Sequence, residues 1–229
     1  MESIGNASGL SFVFKGDSIT KGDYATATTR FATRICTSVG AVEVNQGVSG
    51  SGMEMEIADY SCGRDYFHIE NVPVKGTSHA RIFLNYGTND IIVNRSELTP
   101  ANFKKQYLAA VNGIIAKGWQ AKDIVLSNGY WIKNLGAAYG SCGVTAARSR
   151  SEALLFRNAI NEIAILKRCV LLDTYGFLED KSEYIGGDNL HLNDLGHQNL
   201  ATFMLNADYT PQQRQPVAPF NCYGRNFTI

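Results

Sequence analysis

The sequence has no excess of charge of either sign and no long hydrophobic run. Its 229 residues include 21 Lys and Arg against 21 Asp and Glu, so the formal net charge is zero. This balance gives no electrostatic attraction to nucleic acid or to an anionic membrane surface, and we expect neither as a partner. No run of about 18 apolar residues is present, which predicts that nothing spans a membrane.

The first nine residues are small and polar, and they lack a basic region followed by an apolar stretch. They therefore predict no secretory signal. The expected compartment is the cytoplasm, or the outside of the cell or a virion if a leader or an upstream region precedes this chain. The oligomeric state is left open by the sequence.

Paired cysteine motifs are also missing. None of the five cysteines lies in a C-x-x-C pair, which argues against a zinc or redox motif. Cys36 and Cys169 lie among apolar residues and are predicted to be small core residues. Cys62 and Cys142 lie in loop-like stretches and could pair, which the sequence leaves open.

Strand-like and helix-like segments alternate along the chain. The strands are predicted at 11–15, 41–45, 80–86, 123–127 and 169–173, and the helices at 25–39, 99–118, 152–166 and after Asn193, with Leu195, Leu200, Phe203 and Met204 on the inner face of the last helix. This order implies right-handed crossovers and a parallel sheet covered on both faces. We therefore predict one three-layer α/β/α domain over 1–229 with a five-stranded parallel sheet, a flexible start at 1–9 and an irregular tail at 209–229.

Four polar clusters follow strands or precede the last helix. They are Gly16-Asp17-Ser18-Ile19, Gly47-Val48-Ser49-Gly50, Gly87-Thr88-Asn89-Asp90 and Asp188-Asn189-Leu190-His191. Ligands of parallel sheets gather at the carboxyl ends of the strands. We therefore expect the four clusters to converge on one edge of the sheet.

The residues in these clusters are those that an ester-cleaving site needs. Such a site requires a nucleophile, a base that takes its proton, and donors for the negative oxygen that develops. Ser18 supplies a hydroxyl nucleophile. The Asp188-x-x-His191 spacing lets a carboxylate hold one ring nitrogen while the other faces the serine.

The other histidines give weaker candidates for the base. Asp65-x-x-His68 is a rival pair with the same spacing, but it lies in a long insertion. His197 falls within the last helix and is expected to face solvent or to pack. His79 lies just before the third strand and is expected to be structural.

Three groups are candidate donors to the oxyanion: the N–H of Ser18, the N–H of Gly50 and the carboxamide of Asn89. Glycine at position 50 would let the backbone approach the reacting centre closely. Asp17 is expected to fix the nucleophile turn through backbone N–H groups. Gly50 could instead be an ordinary turn glycine, and Asn89 could simply brace its turn through side-chain hydrogen bonds.

Two long loops carry aromatic side chains that would overhang the same edge. One follows the second strand, and the other follows the fourth strand and contains Tyr130 and Trp131. Both residues are candidate substrate contacts, although aromatic residues more often serve in packing.

Taken together, the motifs resemble those of the SGNH (GDSL-type) hydrolase superfamily. The matching residues are Ser18 in Gly-Asp-Ser, Gly50 at the end of Gln-Gly-Val-Ser-Gly, Asn89 in Gly-Thr-Asn-Asp, and Asp188 with His191. The resemblance implies a flavodoxin-like fold, no cofactor and no metal. Leu192 stands where many relatives carry proline, and the insertion after Gly50 is longer than in compact members.

The resemblance also implies a serine esterase that acts on a small-molecule or glycan ester, and we expect a carbohydrate O-acetyl ester. Three alternatives stay open on the sequence. They are an acyltransferase with the same triad, a lipase or lysophospholipase, and a non-catalytic glycan-binding or virion-attachment domain.

Overall fold

The fold comes from a computed structural model that describes residues 2–53, 66–93, 98–133, 135 and 148–213. Five strands form one parallel sheet in the order β2-β1-β3-β4-β5. The strands are β1 (Ser11–Gly16), β2 (Val42–Gly47), β3 (His79–Asn85), β4 (Ile124–Ser127) and β5 (Val170–Leu172). The predicted five-stranded parallel sheet is confirmed, and its strands lie within about two residues of the expected bounds.

Helices follow the strands in alternation. They are α1 (Ser18–Lys21), α2 (Phe31–Val39), α3 (Thr88–Ile92), α4 (Pro100–Ala116), α5 (Arg150–Lys167), α6 (Thr174–Leu178) and α7 (Asp194–Asn206), with short 3-10 turns at 121–123 and 182–184. The sequence did not predict α1, α3 or α6. Helices of four or five residues are too short to show an apolar period.

Each face of the sheet has its own hydrophobic core. Val13 points to the face that α4 and α5 cover, whereas Phe12 and Phe14 point to the face that α2 and α7 cover. The Phe14 ring stacks on Phe83 at a centroid distance of 4.6 Å. Successive strand residues point to opposite faces, so one strand supplies both cores and the predicted three-layer α/β/α architecture is confirmed.

Side-chain caps set the start of the long helices. Thr99 accepts a hydrogen bond from the Asn102 N–H at the start of α4, as its Thr-Pro sequence predicts. The predicted start of α2 at residue 25 is wrong, because α2 begins at Phe31. The hydroxyls of Thr26 and Thr29 accept backbone N–H groups in this stretch, which favours turns over helix.

The last helix starts as predicted and packs differently at one residue. Asn193 accepts from the Gly196 N–H and caps α7. Leu200 and Met204 are buried, but Leu195 is 47% exposed and does not lie on the inner face. The sequence does not give the direction of the helix axis, so it did not show that Leu195, in the first turn, lies outside the buried face.

The amino-terminal segment packs against the core. Ile4 and Ala7 are buried in the core on the α2 and α7 side, and the Tyr209 N–H donates to the Glu2 carbonyl at 2.7 Å. These contacts belong to the segment for which the sequence predicted a flexible start, and its flexibility stays a prediction. Most of the predicted irregular tail, 214–229, lies outside the described residues, and the single-domain assignment of the whole chain stays a prediction.

Cys36 and Cys169 are buried free thiols, as their apolar surroundings predict. Burial raises the pKa of both to about 12, which keeps both thiols protonated at neutral pH. Cys62 and Cys142 lie outside the described residues. None of the helices that the structure describes combines the length and the apolar character needed to cross a membrane.

Candidate active site

The turn that carries Ser18 is fixed by a glycine and a cap. A Cβ atom on Gly16 would lie 2.2 Å from the Thr20 hydroxyl oxygen, so the end of β1 tolerates no side chain there. The next residue, Asp17, caps α1 by accepting from the Ile19 N–H at 2.9 Å. Ser18 is thereby the first residue of α1, at the carboxyl end of β1, with its side chain largely buried.

The imidazole of His191 reaches the hydroxyl of Ser18. Its Nε2 lies 2.7 Å from Ser18 Oγ, and its Nδ1 lies 2.5 Å from Asp188 Oδ2. The carboxylate accepts the Nδ1 proton, which leaves Nε2 as the acceptor for the serine hydroxyl. The structure therefore joins three of the predicted residues in one chain of hydrogen bonds.

Asp188 also shapes the loop that presents the ring. Its Oδ1 accepts from the N–H groups of Leu190 at 3.1 Å and His191 at 3.0 Å. Burial alone would raise the pKa of Asp188, but the hydrogen bonds from the His191 ring and from these two N–H groups outweigh it and lower the pKa. The aspartate therefore stays ionised and holds the ring in one tautomer.

The loop after β2 is tied directly to the end of β1. The Val48 N–H and the Ser51 hydroxyl both donate to the Gly16 carbonyl, each at 3.0 Å. A Cβ atom on Gly47 would lie 2.3 Å from the Lys21 backbone nitrogen, so this loop packs closely against α1. These contacts place the loop containing Gly50 beside the turn that holds Ser18.

The loop after β3 fixes the same segment from its other side. Asn89 is buried, and its Nδ2 donates to the Ser51 carbonyl at 2.8 Å. The carboxylate of Asp90 accepts the Met53 N–H at 3.0 and 3.1 Å. Gly50 has a φ of 80°, which only glycine adopts without strain, and no described residue accepts its N–H.

Asp17 is fully buried beneath the nucleophile. Burial raises its pKa to about 6, an effect that the nearby Asp90 carboxylate increases and the Ile19 N–H opposes. Its hydrogen bond within the turn agrees with the structural role predicted for it.

Two predicted substrate contacts lie in the core instead of on a loop surface. Tyr130 is 2% exposed and Trp131 is 7% exposed, and both belong to the core on the α2 and α7 side. The Arg150 guanidinium lies over the Trp131 ring at 5.3 Å. Packing accounts for both side chains, and their contact with substrate stays a prediction.

The remaining histidines have other partners. His197 is buried, which is one of the two placements that the sequence predicted. Its Nδ1 accepts a hydrogen bond from the Phe31 N–H at 3.3 Å. His79 Nδ1 lies 2.5 Å from Ser11 Oγ at the amino end of the sheet. His68 lies 2.8 Å from Glu70, and Asp65 is outside the described residues.

The sequence reasoning missed one residue beside the imidazole. The ring of Tyr24 stacks on His191 at a centroid distance of 5.1 Å and an interplanar angle of 18°. The sequence did hold one indication of this contact. Tyr24 follows the nucleophile turn within a few residues, in Gly22-Asp23-Tyr24, and residues so close in sequence to a nucleophile lie near the site.

In the part of the chain that the structure describes, no group of three or more His, Cys, Asp or Glu residues could hold a metal ion. The arrangement instead offers a serine hydroxyl, an imidazole and a carboxylate in hydrogen-bond contact, with amide donors on two neighbouring loops. These are the groups that acyl transfer requires.

Comparison with known proteins agrees with this chemistry. The GDSL-like Lipase/Acylhydrolase family matches residues 14–198 of the chain. No curated protein matches it in sequence.

Several solved structures share the fold. A lipase/acylhydrolase from Enterococcus faecalis is 16% identical with a TM-score of 0.62, over 86% of this chain and 93% of that one. A lipolytic protein of the G-D-S-L family from Veillonella parvula is 19% identical with a TM-score of 0.63, over 86% and 96%. The acetyl xylan esterase AlAXEase is 18% identical with a TM-score of 0.58, over 85% and 98%.

The family match covers most of the chain, from the end of β1 to the start of α7, and confirms the resemblance to SGNH hydrolases. The chain is therefore a carboxylic ester hydrolase and belongs to the GDSL-like lipase/acylhydrolase family.

Proposed function

We propose that this protein is a serine esterase that removes short acyl groups, acetyl first among them, from carbohydrate esters through an acyl-serine intermediate. The observation that carries the proposal is the continuous contact from Ser18 Oγ to His191 Nε2 at 2.7 Å and from His191 Nδ1 to Asp188 at 2.5 Å. A serine hydroxyl is a weak nucleophile until a positioned base takes its proton.

In the first half of the reaction, Ser18 Oγ attacks the ester carbonyl carbon and its proton passes to His191 Nε2. The imidazolium that forms is stabilised by the ionised Asp188. The carbonyl π electrons move to the carbonyl oxygen, which becomes the oxyanion of a tetrahedral intermediate.

The oxyanion is held by amide groups. The backbone N–H groups of Ser18 and Gly50 and the carboxamide of Asn89 are the proposed donors. Support comes from the contacts of Asn89 and Ser51, which fix the loop of Gly50 beside the turn of Ser18 before any substrate arrives. Preorganised donors need no rearrangement when the charge develops.

When the intermediate collapses, the bond to the alcohol oxygen breaks and His191 gives its proton to that oxygen. Water then attacks the acyl-serine while His191 takes one of its protons. The second collapse releases the carboxylic acid and returns the proton to Ser18.

The substrate class has its own support. Lys21, Asp23 and Ser49 border the nucleophile turn and present charged and hydroxyl groups to solvent. Such groups suit a polyhydroxy alcohol better than a lipid. One structurally similar protein is an acetyl xylan esterase.

The experiment is a panel of p-nitrophenyl esters from acetyl to dodecanoyl, run beside acetylated xylan with acetate release as the readout. We expect the highest kcat/KM with acetyl and measurable acetate release from xylan. Ser18→Ala should abolish both signals, and Ser38→Ala, an exposed serine on α2, serves as the matched control.

A preference for acyl chains of eight or more carbons would replace the proposal with a lipase. Transfer of acetyl to an added polyol in excess over release to water would replace it with an acyltransferase. Unchanged hydrolysis by the Ser18→Ala protein would contradict the assignment of the nucleophile.

A further inference from the structure

The side chain of Tyr24 covers the catalytic imidazole and is itself open to solvent. Its ring stacks on His191 at 5.1 Å, and the residue is 65% exposed. Its φ of 67° lies in the left-handed region that tyrosine rarely adopts. The fold therefore holds the backbone of Tyr24 in a conformation that tyrosine disfavours.

The surroundings of Tyr24 are tied to the loop of Gly50. Ser49 Oγ donates to Asp23 Oδ2 at 2.5 Å, and Lys21 Nζ donates to Ser49 Oγ at 3.0 Å and lies 3.3 Å from Asp23. Lys21 and Ser49 are exposed and Asp23 is half-buried. The surface beside the imidazole thus combines one aromatic ring with a carboxylate, a hydroxyl and an ammonium group.

The acylation half of the reaction fixes which half of an ester lies there. The leaving alcohol oxygen must come within about 2.6–3.2 Å of His191 Nε2 to receive its proton. The carbon skeleton attached to that oxygen therefore extends along the imidazole. The exposed Tyr24 ring, stacked on the same imidazole, is the aromatic surface next to that position.

We propose that Tyr24 forms the alcohol-side subsite of this esterase and that the subsite takes a pyranose ring. The apolar C–H face of a sugar ring packs on an aromatic face, and its hydroxyls bond to charged and hydroxyl groups at the edge. The proposal rests on the proposed function, because it assumes that His191 protonates the leaving alcohol. Tyr24 acts by contact with the substrate and not through the reacting atoms.

Binding is tested first, in the Ser18→Ala background, so that no turnover is needed. The probe is an O-acetylated xylo-oligosaccharide, and calorimetry gives its Kd. Adding Tyr24→Asn, which tolerates a positive φ but removes the ring, should weaken binding by about tenfold, the size expected for one aromatic contact. Tyr24→Phe in its place should restore most of the affinity.

The matched control for surface exposure is Val74→Asn. Val74 is 68% exposed and lies in the loop before β3, at the opposite edge of the sheet. It should leave the Kd for the oligosaccharide within about twofold, since surface changes away from a site have small effects.

Kinetics then separates a substrate contact from a role in holding the imidazole. For Tyr24→Asn on the active enzyme, KM for the acetylated oligosaccharide should rise about tenfold while KM for ethyl acetate changes little. A ring that only positions His191 would instead lower kcat by the same factor for both esters and change the pH profile. That result would overturn the proposal.

The two proposals fail in different ways. If no ester is hydrolysed by the wild-type protein, the proposed function is wrong, and the calorimetric comparison still decides whether Tyr24 contacts a sugar. If the Ser18→Ala protein binds no acetylated oligosaccharide, or binds it equally with and without the Tyr24 ring, the subsite proposal is wrong even though esterase activity stands.

Discussion

The loop of His191 and the helix of His197 place the same side chain, six residues apart, in two different environments. In the loop, the ring lies between an ionised carboxylate and a serine hydroxyl. In α7, the ring is fully buried, stacks on Phe31 at 6.0 Å and accepts a backbone N–H. Burial lowers the pKa of His197 to about 4, so it stays neutral at physiological pH.

The difference shows what makes a histidine a base. Both rings are largely buried and both belong to the carboxyl-terminal part of the chain. His191 has a proton donor on one side and an anion on the other, so it can gain a proton at Nε2 and remain stabilised. Among the described residues no carboxylate is in hydrogen-bond contact with His197, and Asp194 and the Asp23 backbone favour its charged form too weakly to offset its burial.

Removing each of the two rings in turn separates their roles. We expect His191→Ala to lower kcat for p-nitrophenyl acetate by on the order of 10⁴–10⁶, as for other triads. His197→Phe should keep kcat within about threefold, because its ring contacts no reacting atom. Comparable losses in the two variants would contradict the assignment of the base.

Removal of the charge on Asp188 tests why the two environments differ. Asp188→Asn keeps the size of the side chain but favours the wrong tautomer of His191, and we expect kcat to fall by about 10⁴. Asp194→Asn, next to the cap of α7, is the control and should change kcat little. Steady-state kinetics at neutral pH measures both, and a small effect of Asp188→Asn would show that the loop alone orients the ring.

Loss of an oxyanion donor should have a smaller effect than loss of the base. Asn89→Ala is expected to reduce kcat by about 10²–10³ with KM nearly unchanged, because the carboxamide would act on the developing charge. Asn199→Ala, at a half-buried asparagine on α7, is the matched control. A rise in KM at constant kcat would instead assign Asn89 to ground-state binding.

The smallest expected effect is on stability and comes from His197. Its folded pKa of about 4 lies below its ordinary value of 6.5. The contribution of His197 to the free energy of unfolding is therefore fully present above pH 6.5. It is lost as the pH falls toward 4, by about 3 kcal/mol in all. His197→Phe should remove this loss from the free energy of unfolding.

The measurement is urea unfolding of parent and variant between pH 4 and pH 7, with the difference between the two proteins as the readout. Asp17 acts in the opposite direction, because its pKa is raised to about 6 and its stabilising contribution is lost as the pH rises through that value. It is present in both proteins and cancels. A difference that does not depend on pH would show that His197 is protonated equally in the folded and unfolded states.

The sequence predicted most of the sheet and the members of the site for a physical reason. Strands buried on both faces read as apolar runs, and polar residues directly after them must lie at one edge of a parallel sheet. Ser18 and His191 lie together because Ser18 directly follows β1 and His191 directly precedes α7, and both positions are at the same edge of the sheet.

What depends on side-chain packing was not predictable in the same way. Tyr130 and Trp131 follow β4 in a stretch that reads as a loop, yet both rings are buried. Tyr24 was overlooked because a stack on His191 depends on a left-handed backbone at one position. Neither the burial of Tyr130 and Trp131 nor the position of Tyr24 follows a repeating sequence pattern, so periodicity could not predict them.

Covalent labelling with an alkyl fluorophosphonate, followed by peptide mass spectrometry, tests directly whether His191 activates Ser18 as the nucleophile. We expect one phosphonyl group per chain, on Ser18, and a labelling rate that falls by several orders of magnitude in His191→Ala. Labelling of another residue, or unchanged labelling of Ser18 without the imidazole, would contradict this expectation.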